Sequence, residues 1–241
     1  MNSTCSIFIP LYNEEDLIEK NTYRLMDYLK KHEIEADIIL GSNGSTDATP
    51  KIISTLENKN RNIKSFHLPG KGPGLAFVQG ADMASSEFII SCDADLSVEL
   101  DFIPLALDFL EKCDMVIGCK RMQYQDRTFF RTLGSNIFIF TTAMVLGAAA
   151  ADFSIGAKAY RRSFVLQHAH HLDPWTAYVL ELFFHAIEEK RRILEIPVAC
   201  SDNRASHFSL ASEAVYKFKH LFRFALHTRR MQNHNETDPN R

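Results

Sequence analysis

Asp93 and Asp95 are two carboxylates one residue apart, directly after the apolar run Glu87–Cys92. If that run is a strand, its alternation turns both side chains to the same side, where their charges repel. A divalent cation relieves such repulsion. Hard cations such as Mg2+ or Mn2+ accept one or two carboxylates together with phosphate oxygens and water. Held across a diphosphate, the metal would stabilise the charge that develops on a departing nucleotide. The alternative for an aspartate after a strand is an Asx turn or a helix N-cap. Asp-x-Asp alone decides little; its place among other polar strand exits gives it weight.

Two other segments carry groups of this kind. Ser42-Asn43-Gly44-Ser45-Thr46-Asp47 joins turn residues to a helix start. Ser45, Thr46 or Asp47 can cap that helix, and its backbone N–H groups suit a phosphate or a ribose. Lys71, among Gly70, Gly72 and Gly74, offers a cation in a loop able to approach a ligand closely, an ordinary surface loop being the alternative.

The elements that must position these groups follow from periodicity. Short apolar runs predict strands over Ser6–Pro10, Asp37–Gly41, Ile63–Leu68, Glu87–Cys92, Asp114–Cys119 and Ile193–Val198. Helices are predicted near Glu14–His32, Asp47–Asn60, Leu75–Ala84 and Asp101–Lys112. Strictly alternating strands and helices imply βαβ units and a mostly parallel central sheet flanked by helices, an α/β fold. Ligands bind such sheets at the carboxyl ends of the strands. The polar segments beginning at Pro10, Ser42, Pro69 and Asp93 end four consecutive strands on that one edge.

Composition fits one sizeable domain: 241 residues, 46% of them hydrophobic, can bury a substantial core. It is expected over residues 1–230, in two halves that meet near residue 120, with a polar tail over 231–241. A net charge of −3 gives no reason to expect a nucleic-acid partner. Charge is uneven, however. Lys217, Lys219, Arg223, Arg229 and Arg230 cluster without an acid, a stretch that suits a phosphate-bearing partner or an anionic membrane as readily as a solvated helix face. Cys5, Cys92, Cys113, Cys119 and Cys200 have no paired spacing and read as buried thiols in a reducing compartment. With no signal-peptide pattern, the cytosol or the cytosolic face of a membrane is expected.

Taken together, Ile9-Pro10-Leu11-Tyr12-Asn13-Glu14-Glu15, Asn43-Gly44-Ser45-Thr46-Asp47, Pro69-Gly70-Lys71-Gly72-Pro73-Gly74-Leu75-Ala76 and Asp93-Ala94-Asp95-Leu96-Ser97 resemble glycosyltransferase family 2 with its GT-A fold. The chain is most similar to the dolichyl-phosphate (polyprenyl-phosphate) mannosyltransferase group. Asp152 with Gly156-Ala157-Lys158-Ala159-Tyr160-Arg161-Arg162 resembles a further block that precedes the acceptor-side helices. The resemblance implies an inverting transfer from a nucleotide-sugar donor, GDP-mannose favoured, to a polyprenyl or dolichyl phosphate. It places donor contacts at Pro10, Tyr12, Glu14, Ser42, Asn43, Asp47, Lys71 and Ala94, and Mg2+ or Mn2+ on Asp93 and Asp95 with help near Ser97. A lipid phosphate is already a nucleophile, so cations to hold it matter more than a base. Lys120, Arg131 with Ser135 one turn on, and Arg204 are the candidates. The chain departs from the family pattern at Ser42, where an acid is usual, and at Asn43, where a second is frequent; at Lys120, where an arginine is usual; and around Arg204, with Ser201-Asp202-Asn203 before it and His207 after it.

Thr132–Ala151 is uncharged for twenty residues but contains Thr132, Ser135, Asn136, Thr141 and Thr142. It is expected to line an acceptor groove or dip into a membrane interface rather than span it. Ser209–Leu226 reads as a second amphipathic element, packing into the core being the alternative, and peripheral membrane contact is expected. A hydroxyl acceptor would instead need a general base, for which Asp152 or an acid near Glu181 could serve. A catalytically silent nucleotide-sugar-binding protein is the third reading. His168, His170, His171 and Asp173 fit no zinc spacing and are assigned to a loop before a helix start at Pro174-Trp175.

Overall fold

The computed structural model describes residues 4–119, 140–144, 153, 155–200 and 215–223. Within it, β1 (Cys5–Leu11), α1 (Ile18–Lys31), β2 (Ala36–Asn43), α2 (Thr49–Lys59), β3 (Ile63–Leu68), α3 (Pro73–Met83), β4 (Phe88–Ser91), α4 (Phe102–Leu110) and β5 (Met115–Cys119) alternate as expected. There follow β6 (Lys158–Arg161), α5 (Arg162–His168), a 3-10 turn over Ala169–His171, α6 (Tyr178–Glu188) and β7 (Ile193–Pro197). The sheet has seven strands in the order β3-β2-β1-β4-β6-β5-β7. All its pairings are parallel except those of β6, which runs antiparallel to both β4 and β5. This is the GT-A architecture, a mostly parallel sheet flanked by helices.

Every residue of β2 is buried, as are six of seven in β1, because helices cover both faces of these strands. Alternation distributes their side chains. Ile7 and Ile9 pack with Ile38, Leu25, Ile53 and Ile103 on one face. Phe8 and Ile39 pack with Phe77, Ile89, Tyr160 and Phe164 on the other. Period two along a strand thus builds two cores, one per face.

The sequence missed β6 as a strand. Four residues, Lys-Ala-Tyr-Arg, show little apolar alternation, and only long-range pairing of Tyr160 with Ile89 and Met115 reveals them. The helix start expected at Pro174-Trp175 falls instead at Tyr178, since the Asp173 side chain holds the intervening turn. Three histidines of the 168–171 stretch belong to α5 and the 3-10 turn rather than to a loop. α1 likewise begins four residues later than expected; Asn13 stands at φ 53°, and the N–H groups of Glu14 and Glu15 bond Thr49 and Asp47 across the fold.

Gly80, on the inner face of α3, lies against the Phe8 ring: a Cβ there would stand 2.4 Å from it. At an open helical site Gly→Ala stabilises by ~1 kcal/mol. Here Gly80→Ala should instead destabilise by ~1–3 kcal/mol through overpacking, read as a lower urea midpoint with an unchanged slope. A raised midpoint would show that Phe8 yields without cost.

Candidate active site

Three strand exits lock together by backbone contact. Gly44 adopts φ +73°, and a Cβ there would meet the Lys71 nitrogen at 2.7 Å, so a glycine is required on both counts. Its N–H donates to the Leu68 carbonyl at 2.8 Å. Asn43, buried, donates from Nδ2 to the Leu11 carbonyl and accepts from Gly72 N. One side chain therefore ties the exits of β1 and β2 to the loop after β3. Ser42 is also buried, its hydroxyl 2.9 Å from the Ser45 hydroxyl and 3.0 Å from His67 Nδ1. A Ser–Ser–His group thus stands where the family usually has an acid.

The Pro10–Glu15 segment is pinned onto the same edge. Asn13, at φ 53°, donates from its N to Ser45 Oγ and accepts from Thr46 N. Asp47 accepts from Thr49 N and Glu15 N, and Glu15 accepts from Ala48 N. Burial pushes the Asp47 carboxyl up, but hydrogen bonds from the Thr49 side chain and backbone and from Glu15 outweigh it and hold the group below its ordinary range. Of the capping candidates, Asp47 serves the first turn of α2. Above these turns the Lys71 ammonium sits 3.5 Å from the centre of the Tyr12 ring, a cation-π pair on the outer surface of the edge.

Asp93 and Asp95 leave β4 toward this edge. Both are partly exposed, while Ala94 and Leu96 between them are buried, so the alternation expected for the pair is present. Leu96 turns the chain at φ 49°. Asp95 Oδ1 accepts from Ser97 N at 3.0 Å, an Asx turn, and Asp93 Oδ2 accepts from Gly156 N at 3.1 Å. A Cβ at Gly156 would stand 2.1 Å from the Asp93 carboxylate, so only glycine lets that backbone N–H approach. Asn21 on α1 donates to the Ala94 carbonyl and fixes the turn from below. The donor set is one of hard oxygens, which fits Mg2+ or Mn2+. Among the described residues no group of three or more His, Cys, Asp or Glu gathers for a metal. An ion here would therefore draw on two carboxylates and complete its shell from diphosphate oxygens and water.

Two groups near this turn were given no individual role by the sequence. Burial, then the Asp93 carboxylate, raises the Tyr178 phenol above its ordinary range, and Tyr178 stacks on Phe77 at 4.8 Å. Lys158 opens β6 opposite Ser91 and, though buried, donates from Nζ to the Ile155 carbonyl. Their signal, a tyrosine and a lysine in apolar surroundings, resembles ordinary core patterning. Lys120, Arg131, Ser135, Asp152 and Arg204 lie outside the described residues.

Beside the Lys71 loop, Asp173 and Glu181 form a buried acidic pair. Asp173 N donates to Glu181 Oε2, Tyr216 OH donates to Asp173 Oδ1 at 2.6 Å, and His220 lies 3.8 Å from Asp173 and 3.7 Å from Glu181. Glu181, raised above as a base, thus contributes to holding the helical stretch 215–223. Burial raises its carboxyl to about 7; the nearby Asp173 adds to this, while the Asp173 N–H and Arg223 act against it.

The profile of Glycosyl transferase family 2 matches residues 6–168. Two undecaprenyl-phosphate 4-deoxy-4-formamido-L-arabinose transferases are similar in sequence. That of Proteus mirabilis is 27% identical over 198 residues, 80% of this chain and 59% of the relative. That of Photorhabdus laumondii is 30% identical over 162 residues, 66% of this chain and 50% of the relative. The chain thus spans between half and three-fifths of the length of these relatives. In fold it is similar to glucosyl-3-phosphoglycerate synthase from Mycobacterium tuberculosis in complex with Mn2+, uridine diphosphate and phosphoglyceric acid, with TM-score 0.68 and 16% identity over 92% of this chain and 78% of that one. Mannosyl-3-phosphoglycerate synthase from Rubrobacter xylanophilus gives TM-score 0.62 and 12% identity over 99% and 77%.

A carboxyl raised from 4.5 to about 7 on folding keeps its proton better in the native state than in the unfolded one. Its contribution to stability is complete below pH 4.5 and is lost as pH rises through about 7. Glu181→Gln keeps the neutral form at all pH. It should melt as the wild type does near pH 4.5 and roughly 2–4 °C higher at pH 8. A difference that does not change with pH would show that Glu181 is already ionised in the fold.

Proposed function

We propose, because the chain belongs to glycosyl transferase family 2, that it moves a hexose from a nucleoside-diphosphate donor to a polyprenyl-phosphate acceptor with inversion. The observation that carries this reading is the Asp93/Asp95 pair at the carboxyl edge of β4, beside the Tyr12–Lys71 pair and the strand exits that support both. The lipid acceptor draws support from the undecaprenyl-phosphate transferases it resembles in sequence.

In this reading the nucleotide lies along Pro10, Tyr12, Glu14 and the Ser42–Asn43 turn, with Lys71 over its phosphates and Asp47 fixing the turn. Mg2+ or Mn2+ on Asp93 and Asp95, near Ser97, supplies neutralisation of the diphosphate charge. A phosphate oxygen of the acceptor forms the new bond to the anomeric carbon as the bond to the diphosphate oxygen breaks, and a nucleoside diphosphate leaves. That oxygen is ionised before attack, so no base has to take a proton. Lys120, Arg131 and Arg204 are assigned to hold the acceptor phosphate. GDP-mannose is the donor favoured by sequence, and Ser42 with His67 in place of an acid makes the base the property to measure first.

Membrane contact is part of the same proposal. Among the described residues no helix is long and apolar enough to cross a membrane. The helical stretch 215–223 turns Val215, 70% exposed, and Phe222, 57% exposed, outward together with Lys219 and Arg223. Apolar and basic side chains on one outer face suit an anionic leaflet, at the cytosolic side in this reading.

A thermal-shift screen of GDP-, UDP-, ADP- and dTDP-sugars with Mn2+ or EDTA tests the donor site. One nucleotide should raise Tm with Mn2+ only, and Asp95→Ala should abolish that rise without lowering the ligand-free Tm by more than a few degrees. An Asp95→Ala variant with unchanged donor response would remove the metal assignment, and radiolabelled product that stays out of organic solvent would remove the lipid acceptor. Sedimentation with phosphatidylglycerol vesicles at low salt should pull the protein down, and Phe222→Ser with Lys219→Glu should release it. Protein that ignores those vesicles would leave the membrane contact without support.

A further inference from the structure

Asp173 is joined to three parts of the molecule at once. Both oxygens of its carboxylate are engaged: Oδ2 accepts from Trp175 N at 3.0 Å and Ala177 N at 2.9 Å, and Oδ1 accepts from Tyr216 OH at 2.6 Å. The first two bonds set the start of α6, and the third seats the helical stretch 215–223. On its other side the 173–175 backbone is pressed against the start of α3. A Cβ at Gly74 would stand 2.0 Å from the Asp173 carbonyl and 2.8 Å from that of Trp175. The Pro174 carbonyl accepts from Gly74 N at 3.1 Å and Leu75 N at 3.3 Å, so it occupies two N–H groups of that helix end.

We propose that Asp173 is a positioning residue that couples the helical stretch 215–223 to the donor loop Lys71–Gly74. The coupling rests on the donor reading above, since it matters to transfer only if Lys71 meets the nucleotide. The physical route is short. If the 215–223 stretch shifts, Tyr216 either carries Asp173 with it or leaves a buried carboxylate oxygen without its donor, which is unfavourable. If Asp173 and Pro174 move, the backbone contacts at Gly74 have no slack, and the start of α3 moves too. That start carries Gly72, bonded to Asn43, and Lys71, which lies on Gly44 and over the Tyr12 ring. A shift on the acceptor side therefore reaches the donor edge through contacts of fixed length. The effect is reciprocal: nucleotide bound at the edge also biases how the 215–223 stretch sits.

Trp175 is the chain's single tryptophan and lies at this junction, so its emission reports the junction directly. The experiment titrates the full chain with UDP and with GDP, each with Mn2+, and follows calorimetric heat and tryptophan emission in parallel. Wild-type emission should change in step with the heat of binding. Tyr216→Phe, which removes one hydroxyl, should raise the nucleotide dissociation constant roughly three- to tenfold and shrink the emission change. Asp173→Asn, which keeps the shape but weakens the acceptor, should act in the same direction. Heat of binding with flat wild-type emission overturns the coupling and leaves the donor reading in place. So does a Tyr216→Phe protein that binds nucleotide with wild-type affinity. The same titration with ADP and dTDP covers the remaining bases, and no heat with any of the four nucleotides overturns the donor reading and the coupling with it.

Discussion

Close approach of the backbone at glycines is the constraint on which the candidate site depends. Gly44 faces the Lys71 nitrogen, Gly74 faces the Asp173 carbonyl and Gly156 faces the Asp93 carboxylate, each closer than a side chain would permit. A polar loop has little hydrophobic area with which to hold its place. These loops instead gain rigidity by standing where their N–H groups can reach a neighbour's oxygen: Gly44 to Leu68, Gly74 to Pro174, Gly156 to Asp93. The cation-π pair of Tyr12 and Lys71 and the exposure of the two aspartates follow from that framework. The groups that would touch a ligand are few, and the groups that fix them are mostly main chain.

This division explains what could be read in the sequence. Buried parallel strands announce themselves as apolar runs, and Ile63–Leu68 appears at the very boundaries expected. Asp93 and Asp95 were visible because two acids after such a run are chemically out of place. Ser42 and Asn43 were visible as polar residues too, yet their sequence does not tell that they point inward, with Ser42 against His67 and Asn43 bridging two loops. The glycines around Lys71 suggested close approach to a ligand; two of them, Gly72 and Gly74, stand instead against the chain itself at 174 and 173. Tyr178, Tyr216 and His220 carried no local signal, since their partners lie far along the chain and only tertiary structure brings them together.

The chemistry of the edge is graded by burial. Lys71, Tyr12 and the two aspartates are partly exposed, and Ser42, Asn43 and Lys158 are buried. Charge declines toward the interior except at Lys158 and at the Asp173–Glu181 pair, and each of these is met by polar partners. Cys92, just behind Asp93, shows the same gradient: burial, then the Asp93 charge, raises its thiol well above the ordinary range and keeps it neutral beside the acid. All five cysteines are free.

The antiparallel strand β6 lies between β4 and β5 and is bonded to both. A boundary near residue 120 would divide the chain by role, but the sheet is not divided there. Among the described strands, β5, from the first half, is hydrogen-bonded into the sheet with β1–β4 through Lys158–Arg161 from the second. On a ribosome, where domains form from the N-terminus onward, this has a temporal consequence. The first 119 residues emerge with strands for one sheet fragment, β1–β4, and with β5 alone, its partners β6 and β7 still to come. Until Tyr160 arrives to pair with Ile89 and Met115, the facing edges of β4 and β5 stay open. The nascent chain has to keep those two edges from other partners for as long as it takes to make some forty more residues, a few seconds at ordinary rates of synthesis of about 5–20 residues per second.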